Sequence, residues 1–202
     1  SLLETDDGHF VIGGQVWNKG IAIIKSAPDG TVQWSRFFTR PGGSLTGYVA
    51  TRLLQKNNDV YLFCDVALFQ PGPVTGTIDP FGNLLKLNYT TGQTRWTKTM
   101  LVNNQYVNPR DLQWYNDGLL LNCFATTGIT NANNTIIHVD TAGNPRWAKT
   151  VASTSIPLVI ANSILLPLPG GSWYLANHGV QILNLQPYSF AHSVFVKFDP
   201  DF

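Results

Sequence analysis

The sequence predicts an all-β chain assembled from four copies of one four-stranded antiparallel unit. Three observations carry that reading. The composition suits strands, a glycine-to-tryptophan spacing recurs, and a leucine-to-turn spacing recurs between its copies.

Composition sets the bounds. The 202 residues leave room for one large domain or two small ones. Apolar residues make up 44%, enough for a substantial core. Charged residues make up only 12%, about half of the ~25% usual in globular domains. Glu4 is the only glutamate and Met100 the only methionine, whereas Thr, Asn, Gly, Leu, Val and aromatics are plentiful. Straight-chain residues favour helices, while β-branched and aromatic residues pack well on a pleated surface. The net charge is +1 and no Lys/Arg cluster stands out. A nucleic-acid partner, which needs a basic stripe, is therefore not expected, and neither is a polybasic membrane patch. The longest apolar stretch, 155–168, carries Pro157, Asn162 and Pro167. It falls short of the ~20 residues that span a bilayer, so no membrane insertion is expected.

The first landmark is a glycine followed four residues later by tryptophan: Gly30 to Trp34, Gly92 to Trp96, and Gly143 to Trp147. Each copy follows an apolar strand (Ile23–Lys25, Leu85–Leu87, Ile137–Val139), and a short strand such as Ser35–Phe38 comes after it. That reads as strand, tight turn, strand. The second landmark is a leucine six residues ahead of a turn, with an apolar strand beyond. It occurs as Leu2, Gly8 and Phe10–Gly13; as Leu53, Asp59 and Val60–Cys64; as Leu112, Gly118 and Leu119–Cys123; and as Leu165, Gly171 and Trp173–Ala176.

The two series interleave. Each unit therefore reads strand a, turn, strand b, variable loop, strand c, turn, strand d. The turns at 8, 59, 118 and 171 are 51, 59 and 53 residues apart, with the b–c loops as the variable part. Four antiparallel strands per ~40–50 residues make the blade of a β-propeller. A β-sandwich is the alternative, but it rarely repeats strand and turn at matched offsets four times. The expected fold is thus a β-propeller of four-stranded antiparallel blades. Four blades are covered, as repeats about 1–50, 51–110, 111–160 and 161–202 of a single region. The last lacks its fourth strand, because Val194–Lys197 fits strand c and no Gly-to-Trp strand follows. Since exposed edges invite pairing, the region is expected to be a segment of a longer chain, with a strand from another chain as the alternative.

Asp6–Gly13, Ile23–Lys25 and Asp29–Phe38 together resemble the repeats of bacterial secreted β-propellers, found in Bacteroidetes-like surface proteins. Leu87–Trp96 is similar to the related quinoprotein-type repeat, with Thr91, Gly92 and Trp96 in its T-G-x-x-x-W positions. The resemblance spans essentially the whole chain and is specific for fold. It implies a secreted or cell-surface protein that acts as a non-enzymatic binding or scaffold module. It also admits part of a quinoprotein-like oxidoreductase, or an assembly scaffold completed by a partner's strand. A full quinoprotein would have eight blades, a calcium-holding carboxylate and two adjacent cysteines, and Cys64 and Cys123 are not adjacent. The second unit has Asn57, Asn58 and Asp59 in place of an Asp-Gly turn, and the fourth has no terminal tryptophan.

The chemistry-bearing residues fit structural roles. Trp34, Trp96 and Trp147 share one repeat position and are read as wedges between neighbouring blades, each burying ~150–250 Å². Cys64 and Cys123 are placed in one small slot with Gly13 and Ala176, as buried unpaired thiols. His138 stands where Lys25, Lys86 and Lys197 stand, and is expected to face solvent. His178 and His192 flank the last b–c loop, and none of His9, His138, His178 or His192 has metal-ligand spacing. Most aspartates sit in turns, where Asp bonds nearby backbone, so no catalytic set and no cofactor is expected. The candidate binding surface is the b–c loops, 14–20, 66–83, 125–134 and 177–193, with the aromatic residues Trp17, Phe69, Phe81, Tyr188 and Phe190. Loops on a rigid scaffold commonly carry recognition, and aromatic anchors suit a protein or glycan partner.

Overall fold

The computed structural model describes residues 1–16, 20–39, 52–65, 82–126, 132–151, 158–169, 171–182 and 189–198. These residues form sixteen strands in four antiparallel sheets, with no helix among them. The first sheet holds β1 (Leu2–Glu4), β2 (Phe10–Val16), β3 (Gly20–Ser26) and β4 (Val32–Thr39). The second holds β5 (Arg52–Lys56), β6 (Asp59–Asp65), β7 (Gly82–Asn88) and β8 (Thr94–Thr99). The third holds β9 (Leu101–Val102), β10 (Gln105–Tyr115), β11 (Gly118–Thr126), β12 (Ala132–Asp140) and β13 (Pro145–Val151). The fourth holds β14 (Leu158–Pro167), β15 (Trp173–Ile182) and β16 (Ser189–Phe198). In every sheet, strands adjacent in sequence are adjacent in space. The repeated strand a, b, c, d order is therefore realised as four consecutive meanders, the last with three strands among the described residues.

Three details differ from the sequence reading. First, β9 extends the third sheet to five strands through a two-residue turn at Asn103 and Asn104, both in the left-handed region (φ 52° and 61°). Two left-handed residues give the hairpin turn whose twist matches its strands, and asparagine tolerates that conformation. Second, the b–c loops are shorter than 14–20, 66–83, 125–134 and 177–193. Val16 pairs with Gly20, Asp65 with Gly82, Thr126 with Ala132 and Ile182 with Ser189. Ladder pairing thus continues to the loop mouths, which gives backbone groups there partners across the hairpin.

Third, the slot assigned to the cysteines shifts by one residue. Trp34 lies opposite Lys25, Trp96 opposite Lys86 and Trp147 opposite His138. Those three residues lie opposite Val11, Tyr61 and Leu120 in strand b, as Lys197 does opposite Tyr174. Counting three residues on, Cys64 and Cys123 correspond to Gly14 and Asn177, not to Gly13 and Ala176. The cause is turn length. Glu4 pairs with Phe10 and Pro167 with Trp173 across five residues, whereas Lys56 pairs with Asp59 and Tyr115 with Gly118 across two. One slip of register moves a side chain to the other face.

The core is three apolar layers between successive sheets. Val11, Ile21 and Ile23 meet Leu53, Val60, Leu62, Leu85 and Leu87 between the first and second. Tyr61, Phe63 and Leu84 meet Leu112, Leu119, Leu121 and Val139 between the second and third. Leu120 and Ile136 meet Leu165, Trp173 and Leu175 between the third and fourth. The two middle sheets are covered on both faces. This explains why Val60–Cys64 and Leu119–Leu121 are apolar without a break, since alternation is needed only where one face meets water. The four landmark leucines occupy one place: Leu2, Leu53, Leu112 and Leu165 lie opposite Ile12, Leu62, Leu121 and Leu175 in their own sheets.

Candidate functional site

Among the described residues, the most elaborate side-chain arrangements lie at the joints between sheets, and the first two joints share one plan. Trp34 on β4 is buried, and its ring lies over Gly92 of the second sheet. A methyl carbon built on Gly92 would come within 2.6 Å of the indole. Trp34 Nε1 donates to the Tyr89 carbonyl at 2.9 Å, and Arg36 beside it donates to the carbonyls of Gly92 and Thr91 at 3.0 and 2.7 Å. Trp96 on β8 lies over Gly143 of the third sheet in the same way, 2.8 Å from the position of an added methyl. Trp147 packs against the core between the third and fourth sheets. The tryptophans are thus wedges, as their repeat position predicts. Gly92 and Gly143 thus have two duties each: a left-handed turn residue (φ 67° and 78°) and a seat for the indole of the preceding sheet.

Opposite each tryptophan on strand c stands Lys25, Lys86 or His138. The expectation that His138 faces solvent is overturned. It is buried, edge-on to Tyr115 at 5.2 Å and 5.4 Å from Trp147. Lys25 is equally buried, with Nζ 3.5 Å from the centre of the Tyr89 ring. Lys86 Nζ lies 2.8 Å from Asp59 Oδ2 and 5.2 Å over the Tyr61 ring. The physical reason is that this position points toward the following sheet, so a neighbour covers it. The lysines stay there by resting on an aromatic face, and the imidazole by packing edge-on against one.

Among the described residues, a dense titratable cluster joins the first and second sheets. Asp7 accepts hydrogen bonds from Thr5 Oγ1 and Tyr89 OH, each at 2.5 Å, and lies 3.2 Å from His9 Nδ1. His9 Nε2 is 2.8 Å from the Gln33 amide nitrogen. The bonds from Thr5 and then Tyr89 hold the Asp7 carboxyl well below its usual range. Burial, then the bond to Asp7, pushes the Tyr89 phenol up to about 12. Burial lowers the Lys25 ammonium, and the Asp7 charge partly offsets that. A carboxylate held this low is a weak base, and a phenol pushed this high keeps its proton. Near neutrality the pair holds its proton in place, whereas general acid–base catalysis needs values close to the working pH.

A second polar junction draws on three sheets and went unnoticed in the sequence. Asp111, a buried carboxylate on β10, accepts from the backbone N–H of Leu112 at 2.9 Å and of Leu165 at 2.8 Å. Gln113 Nε2 and Arg52 Nη1 each lie 3.3 Å from it. It sits at the register shift between Pro109 and Asp111, which turns the carboxylate toward the fourth sheet. Asn122 Nδ2 donates to Ser163 Oγ at 2.6 Å across the same joint. The only advance signal was an aspartate outside the turns, inside an otherwise strand-like stretch.

Of the residues expected to bind a partner, Trp17, Phe69, Phe81 and Tyr188 lie outside the described residues. Phe190 is in β16 opposite Gln181, and its side chain lies outside them too. His178 lies opposite Ser193 and His192 opposite Gly179, one register step apart. Among the described residues, no group of three His, Cys, Asp or Glu side chains is placed to hold a metal. Cys64 and Cys123 are both buried and not joined in a disulfide. Cys123 Sγ donates to the Thr135 carbonyl at 3.3 Å, and burial pushes its thiol up, away from the reactive thiolate. Among the described residues, no helix is long and apolar enough to cross a membrane. No protein-family model matches the chain, and no curated protein matches it significantly.

Proposed function

We propose that the four sheets are consecutive blades of a β-propeller, and that the chain is a non-enzymatic binding or scaffold module of a secreted or cell-surface protein. The observation that carries this reading is the joint seen twice, with Trp34 of the first sheet seated on the turn glycine Gly92 of the second and Trp96 of the second on Gly143 of the third. The strands that carry the landmark leucines, β1, β5, β10 and β14, lie next to one another in sequence order. Leucines fill that edge, while indoles fill the joint at the last strand. Bulkier filling at one edge than at the other splays stacked sheets into a fan, which is the geometry of blades around an axis. The charged and aromatic groups at the joints bind one another, which supports a rigid frame whose task is to hold out its b–c loops. The likeness of the repeats to bacterial secreted propellers is the ground for the extracellular location and for a protein or glycan partner.

Electron microscopy tests the architecture: lobes arranged around an axis are expected, and a two-layer sandwich profile would sink the reading. Binding to arrayed glycans and purified surface proteins tests the function. Replacing Trp17, Phe69, Phe81, Tyr188 and Phe190 with alanine is expected to weaken binding by at least about tenfold, a loss of ~1.4 kcal/mol, with the thermal midpoint unchanged. Binding that survives would reject the loop surface.

A further inference from the structure

Each sheet has a leading face, toward the preceding sheet, and a trailing face, toward the following one. On the leading faces of the second and third sheets the central row is fully covered: Leu53, Leu62 and Leu85, then Leu112, Leu121 and Ile137, all at 0–2% exposure. On the fourth, Leu165 and Leu175 are at 0%. The first sheet carries the same row as Leu2, Ile12 and Ile24, yet Leu2 is 68% and Ile12 41% exposed, and Phe37 on that face is 48% exposed. At the other end, the trailing face of the fourth sheet exposes Ile164, Leu166, Tyr174 and Phe195. The first and fourth sheets thus present two apolar faces that are the two halves of the joint built three times between them.

We propose that these faces join, the trailing face of the fourth sheet of one copy packing on the leading face of the first sheet of a second copy. Continuity with the internal joints selects this occupant, because in every internal joint a trailing face meets a leading one. Charge agrees with it. Glu4 lies on the leading face beside Phe10, and Lys197 lies on the trailing face beside Tyr174, both toward the turn that links strands a and b. Opposite charges at the same end of the two halves favour this pairing over leading-on-leading or trailing-on-trailing contact. The apolar row and this charge pair hold the contact, while the Gly30 turn, open within 4 Å, stays uncovered by the described strands of the fourth sheet. Such head-to-tail contact is heterologous, so it closes into a ring or continues as a filament according to the angle per copy. The inference rests on the internal joints and not on the binding role proposed above.

Sedimentation velocity of the intact chain tests it. Association that grows with concentration is expected, starting from a species of twice the 22.3 kDa chain mass. Ile12→Asp and Phe195→Asp each spoil one half of the joint at an exposed site, so each variant alone is expected to weaken association at least about tenfold. Mixed in equal amounts, the two variants should regain a pair and nothing larger, since each keeps the half that the other needs. If either variant loses thermal stability, Ile12→Ser and Phe195→Ser serve in its place. Three results each overturn the proposal: a wild-type chain that stays monomeric up to about 1 mM, association that survives either substitution, or a mixture that does not pair.

Discussion

Leu2 and Leu53 occupy the same place in the first and second sheets, and so do Gly30 and Gly92 in their c–d turns. Leu53 is covered and Leu2 is open, and Gly92 lies under an indole while Gly30 has empty space above it. The residues are alike and their surroundings are not. The repeat therefore specifies a sheet with two apolar faces, and position in the stack decides which of those faces contributes to stability. Burial adds about 25 cal/mol per Å² of apolar surface removed from water, and a face without a neighbour gains none of it.

The sharpest way to break this comparison is to truncate the same row in the two places. Leu62→Ala, at 0% exposure, is expected to cost about 2–5 kcal/mol through lost burial and the cavity left behind, while Ile12→Ala in the first sheet should cost under about 1 kcal/mol. Urea unfolding of both variants reads the difference, and equal costs would mean that the rows are not layered as described. Next in size are the turn glycines. Gly30→Ala bears only the left-handed backbone penalty at φ 88°, about 1–2 kcal/mol. Gly92→Ala bears the same penalty and also strikes the Trp34 ring, adding about 1–3 kcal/mol. Thermal midpoints in parallel should therefore place the second variant clearly below the first.

Trp34→Phe keeps an aromatic wedge but removes the hydrogen bond to the Tyr89 carbonyl, so a loss of about 1–2 kcal/mol is expected, again by urea unfolding. The smallest effect concerns pH. The Asp7 carboxyl is held below its ordinary value of 3.8 in the folded chain. Its bonds contribute stability that is present above that value and is lost as the pH falls below it. The Tyr89 phenol is raised from 10.0 to about 12, so its contribution is present below pH 10 and is lost as the pH climbs toward 12. Thermal midpoints of Asp7→Asn should fall less steeply than wild type between pH 4 and pH 2. Parallel curves there would show that the carboxylate is not coupled to the joint.

Much of the fold was legible because strands advertise themselves locally. The apolar runs Val60–Cys64 and Leu119–Leu121, and the Asp29–Gly30 turn, bound their strands without help from distant residues. The site was less legible, for physical reasons. Asp111 draws its bonds from Leu112 next to it but also from Arg52 and Leu165, more than fifty residues away in other sheets. His138 reads as polar and therefore exposed until the fourth sheet covers it. The cysteine slot was misplaced by one because turns of five and two residues leave the same mark in a spacing count.

The amino-acid order alone determined the strands, the turns, their meander order and the repeat position of each tryptophan, because propensity, alternation and turn chemistry act between near neighbours. Only the tertiary structure decided that a tryptophan seats on the glycine of the next sheet rather than on its own, that His138 and Lys25 are buried, and that Leu2 is not. Alternation along a strand assigns each side chain to a face, but whether that face meets water or another sheet depends on what packs against it.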